Sequence, residues 1–181
     1  MRARHEIAIL ALAACVGGCE RMVAPEAAPT RPASSPAAMA HAPPHTSAAG
    51  TFTQTTIHTL DVRVAGRNTI LEQTSGGSID GTLEGLFEDR LEVVIHPNGT
   101  FTAHFTITCE CTVGGRQGTL ELVAGDRGAL LGPDLAAFAG RAVINGGAGE
   151  LSGLTGVLRI EGTVDVPSGL STSTYSGWVQ P

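Results

Sequence analysis

The chain contains no lysine: its 11 basic residues are all arginine, set against 17 acidic ones for a formal net charge of −6. That balance, with no basic stripe along any predicted strand, argues against an electrostatic grip on nucleic acid. Long apolar runs are missing too. Hydrophobic residues make up 42% of the chain, but no stretch is long enough to cross a bilayer as a helix. Glycine is plentiful at 24 residues, yet a phosphate-cradling loop needs a following helix and, in one version, a lysine; the sequence offers neither. No Ser/His/Asp grouping with useful spacing is visible. No cofactor is implied. Met39, His41 and His45 carry donors that suit a soft metal ion such as copper, but they read more simply as solvated linker residues, so no metal site is expected.

The N-terminus carries the most specific local signal. Arg2 and Arg4 form a positive start, Ile7 to Ala14 an apolar segment too short to span a membrane, and small residues lead into Cys15 and Cys19. Leu12 to Cys15 resembles the lipobox of bacterial lipoprotein precursors, in which the cysteine thiol is lipidated; Val16 to Cys19 is a second candidate. The expected signal peptide is therefore residues 1–14, or 1–18 if Cys19 is the lipidated residue. Membrane attachment through the lipid would place the protein in the cell envelope, at the outer membrane or its periplasmic face. Residues 15–49 are rich in Ala, Pro and Ser with almost no large apolar side chain, so they read as a disordered tether.

From Gly50 to Pro181 the hydrophobic period becomes two. Phe101, Ala103, Phe105, Ile107, Cys109, Cys111 and Val113 alternate with polar residues, and similar alternation runs through Ile79–Phe87, Leu91–Ile95, Leu120–Leu122 and Leu158–Val164. Turn chemistry separates the runs at Pro97-Asn98-Gly99, Gly114-Gly115, Asn145-Gly146 and Pro167-Ser168-Gly169. The pattern predicts an all-β domain over 50–181, about eight antiparallel strands closed into a barrel that leaves no exposed edge. One helix signal interrupts it at Pro133–Ala139, with Asp134 near the start and Gly140 at the end.

The runs Gly77–Gly85, His96–Phe105, Gly114–Leu122 and Gly146–Gly156, taken in order, resemble the bacterial domain-of-unknown-function family DUF3224. Its members are similar to the allene oxide cyclase barrel, an eight-stranded antiparallel β-barrel. The resemblance spans nearly all of 50–181 and implies that fold; it carries over no catalytic residue.

The alternation also serves as a test for interior chemistry. Asp80, Glu84, Glu88, Glu92, Glu110, Glu121, Arg159 and Glu161 stand opposite the aliphatic positions of their strands and so face solvent. Gln54 and Thr56 share a face with Phe52. Glu72 turns inward beside Tyr175 if Ile70 is an inward residue, and outward if Leu71 is. Cys109 and Cys111 fall on the apolar face, where a separation near 6.5 Å in an extended strand predicts two reduced, buried thiols rather than a disulfide. The candidate ligand-contacting residues are therefore Gln54, Thr56, Glu72, Phe105, Cys109, Cys111 and Tyr175. Three functions are compatible with this pattern: a module holding a small apolar ligand in the barrel, an isomerase or cyclase-like enzyme, and a packed structural or interaction domain of the envelope.

Overall fold

The computed structural model describes residues 45–181, so Cys15, Cys19, Met39, His41 and the expected signal peptide lie outside the described residues. Eight strands follow one another: β1 (Thr46–Ala65), β2 (Asn68–Gly81), β3 (Leu83–Ile95), β4 (Thr100–Val113), β5 (Arg116–Leu130), β6 (Leu135–Gly149), β7 (Thr155–Asp165) and β8 (Ser171–Gln180). Each pairs antiparallel with the next, and β8 returns to β1, closing the barrel. The predicted alternation is what makes closure favourable, because every strand offers one apolar face to a shared interior. Two turns show the local chemistry. Between β3 and β4, Asn98 Oδ1 accepts from the Thr100 N–H at 3.1 Å, and Gly99 takes the φ of 78° that lets its N–H reach the His96 carbonyl. Between β4 and β5, Gly114 and Gly115 both have positive φ, as a two-residue hairpin turn requires.

Several expectations are corrected. The predicted helix at Pro133–Ala139 is absent: Pro133 and Asp134 lie in a turn, and Leu135 onward forms β6 with Ala136, Phe138 and Gly140 in register with both neighbours. Seven residues are too few to hold a helix against two strands waiting to be paired. Asn145-Gly146 is not a turn but part of β6, where the register shifts opposite Glu121 and Leu122 and the Asn145 amide donates to Glu121 at 2.7 Å. Ile79–Phe87 is not one strand, since the chain reverses at Thr82 between β2 and β3. The first strand begins at Thr46, and Ala48 is only 1% exposed, so the barrel takes up residues that composition assigned to the tether.

The two ends of the barrel differ. At the end where β2 meets β3, β4 meets β5 and β6 meets β7, the interior is solid: Leu83, Leu120, Leu122, Leu158 and Val179 pack together, and Leu151 from the β6–β7 connection joins them. Tyr175 crosses this region, its hydroxyl accepting from the Leu83 N–H at 2.9 Å and donating to the Leu83 carbonyl at 3.3 Å. Gly50 stands directly opposite Tyr175, and a Cβ there would press on the hydroxyl at 2.6 Å. Cys109 and Cys111 also belong to this packed end. They are joined as a disulfide with Cα atoms 5.4 Å apart, which corrects the expectation of reduced thiols. The strand contracts below the extended spacing at a point where Cys111 is flanked in the ladder by Gly85 and Gly118, neither of which has a side chain to resist it.

Candidate functional site

The opposite end, where β1 turns into β2, β3 into β4, β5 into β6 and β7 into β8, is hollow. A cavity of about 420 Å³ opens there. Its walls are apolar: Phe52, Phe87, Leu91, Phe105, Ile107 and Phe138 surround the body, and Ile95, Leu130, Val164 and Val166 stand nearer the mouth. Glycines opposite the rings keep the aromatic side chains flat against the sheet. Gly77 faces Phe87 and Gly162 faces Phe138, and a Cβ at either position would come within 2.9 Å of the ring. The apolar character continues onto the rim, where Leu131, Leu135 and Val64 are exposed, the last at 75%.

A few polar groups interrupt these walls. The Ser171 N–H donates to Gln54 Oε1 at 3.0 Å, Gln54 Nε2 donates to Ser75 Oγ at 2.5 Å, and the Ser75 hydroxyl donates to Asp89 Oδ1 at 2.6 Å. This chain links β8, β1, β2 and β3 and orients the Asp89 carboxylate as an acceptor. Burial pushes the Asp89 carboxyl above its ordinary range, and hydrogen bonds from Ser75 pull it part of the way back. Asp126 on β5 has no such compensation. Its Oδ1 is buried without a hydrogen-bond partner, and burial pushes its pKa up to about 7. No Arg or His is among the described residues lining the cavity.

The residues singled out from sequence are thus dispersed. Gln54 and Phe105 line the cavity. Tyr175, Cys109 and Cys111 are buried at the packed end, outside the cavity lining. Thr56 is exposed, because a bulge between Gln54 and Thr56 adds one residue to β1 and hands the inward role to Ile57. Glu72 lies on the outer face, paired with Arg63 at 2.6 Å and Arg90 at 3.6 Å, while Leu71 points into the cavity. Glu72 and Tyr175 therefore do not meet inside the barrel. The two interior carboxylates, Asp89 and Asp126, were missed, although the alternation held the signal: Asp89 is in step with Phe87 and Leu91, and Asp126 with Leu120, Leu122 and Ala124. Among the described residues, no group of three or more His, Cys, Asp or Glu side chains is placed to hold a metal ion.

No protein-family model and no curated protein matches the sequence. The fold does match a solved structure. The crystal structure of a protein of unknown function from the DUF3224 family of Shewanella oneidensis MR-1 superposes with a TM-score of 0.54, covering 76% of this chain and all of that one, at 19% sequence identity. The barrel has the fold of a DUF3224 protein. That likeness fixes the architecture and, since the DUF3224 protein is itself of unknown function, brings no chemistry with it.

Proposed function

We propose that this protein is an exported, lipid-anchored binding module that holds a small, largely apolar ligand in the open half of its barrel. The observation that carries the reading is the cavity: about 420 Å³, walled by phenylalanine and aliphatic side chains, at the end of the barrel opposite the packed one. Apolar walls facing water are retained at a cost, and filling them with a matching molecule removes that surface from solvent. The exposed leucines and valines of the rim offer such a molecule an apolar entrance. Export and anchoring rest on the sequence signal ending at Cys15 or Cys19. The direct test is a panel of hydrophobic probes and lipids screened for thermal stabilisation, since a ligand that prefers the native state raises its midpoint. A flat response across the panel would sink the reading. Acyl mass on the mature N-terminal cysteine tests the anchor.

A second reading, an isomerase or cyclase-like enzyme, is favoured by the carboxyls inside the cavity. Asp126, poised near neutrality, and Asp89, oriented by Ser75, have the character of a general acid and base. Recovery of a bound compound after prolonged incubation separates the two: unchanged material supports the binder, an isomer the enzyme. The hollow end weighs against the packed structural domain.

A further inference from the structure

We infer that the cavity accepts an apolar amine whose nitrogen meets the carboxylate of Asp126. The inference rests on the binding reading above and supplies the head group that reading leaves open. Asp126 is 5% exposed, lies on the inward face of β5 and lines the cavity. Its Oδ1 is a buried acceptor with no donor. Such an atom is destabilising in a folded chain unless something brings it a hydrogen. The neighbouring strands do not supply one. On β4 the residue opposite is Ala103 and on β6 it is Gly140, while the nearby His104, Arg127 and Arg141 are exposed on the outer face.

Charge points the same way. Among the described residues lining the cavity the other ionisable group is Asp89, so the charge they enclose is wholly negative and none of them is a cation that balances it. A carboxylate ligand would be repelled, and a plain hydrocarbon would leave the Asp126 carboxylate without a counter-charge in a drier cavity than before. An alcohol brings a hydrogen but no charge. An ammonium on an apolar body brings both, in surroundings where a charge-assisted hydrogen bond is strong. Because Asp126 has to be ionised to pair with it, binding of the amine should draw a proton off the carboxyl.

Four compounds that share one ring system and differ in head group test this on the protein without any substitution: naphthylmethylamine, naphthylmethanol, naphthoate and methylnaphthalene, titrated at pH 7.5 by fluorescence. The amine is expected to bind about tenfold or more tighter than the alcohol and the hydrocarbon, with naphthoate weakest. Asp126→Asn, which keeps shape and removes charge, should abolish the advantage of the amine and leave methylnaphthalene within about twofold. If methylnaphthalene binds but the amine is no tighter, or if Asp126→Asn binds the amine as the parent does, the head-group inference is overturned and the apolar cavity reading survives. Failure of all four to bind would overturn both. Should the variant not fold, the comparison on the parent protein decides by itself.

Discussion

Gly140 stands directly across the β5–β6 ladder from Asp126, and the Asp126 Oδ1 occupies the place that a side chain at Gly140 would fill. The interior carboxyl and the missing side chain are therefore one arrangement. It holds an acidic group inside an apolar chamber, and a pH dependence follows from it.

Stability should fall as pH rises through the range in which Asp126 titrates. The carboxyl moves from an ordinary 3.8 to about 7 on folding, so between those values the native state holds a proton that the unfolded chain has released, and raising the pH favours unfolding. The full effect is on the order of 4 kcal/mol, lost between about pH 4 and pH 7. Asp126→Asn removes this term. Urea unfolding of both proteins across that window should show the variant gaining on the parent as pH rises; parallel curves would refute it.

Tyr175→Phe should destabilise the barrel by about 1–3 kcal/mol, because the Leu83 N–H that bonds the hydroxyl at 2.9 Å is left buried and unpaired. Ligand stabilisation of the variant should be unchanged, since Tyr175 lies at the packed end. A loss of probe binding without a loss of stability would place the tyrosine in the site after all.

Glu72→Gln should leave both the melting temperature and probe binding where they are. Its partner Arg63 is exposed and keeps Glu92 at 2.8 Å, and surface pairs of this kind contribute little. A marked loss of binding would put Glu72 back in contact with the ligand.

Removal of residues 1–44 should give a chain that unfolds cooperatively, whereas removal of residues 1–49 should weaken it. The second cut deletes Thr46 to Ala49, which pair with Val179 to Ser176 on β8, and takes Ala48 from the core. Thermal melts of the two shortened chains make the comparison. In the longer of them Cys109 and Cys111 are the remaining cysteines, and a thiol reagent without reductant should label neither, before or after denaturation.

Much of this architecture was readable from residue alternation. The strict run from Phe101 to Val113 became β4 with its apolar set inward, because in a half-buried strand period two leaves little choice of face. The same rule misled at Thr56, since one extra residue in β1 exchanges the faces and no residue type announces a bulge there. Pro133 and Asp134 imitate a helix start because the same residues open turns. That one end is solid and the other hollow was beyond reach: it depends on side-chain volume summed around eight strands, which no single run reveals. Asp89 and Asp126 were within reach, and inspection of every charge in step with a core residue would have found them.

The hydrogen bond from the Ser171 backbone to Gln54 joins residues 117 positions apart. All other strand pairings in the ring connect sequence neighbours, so the β1–β8 seam is the one long-range step, and it bears most of the loop-closure entropy of assembly. Before that step the sheet has two free edges and an unfinished chamber, with the Gln54–Ser75–Asp89 relay cut off from β8. A chain caught in that state is the species most open to edge-to-edge association, and a molecule seated in the chamber, by favouring the closed ring, would act as a guard against aggregation.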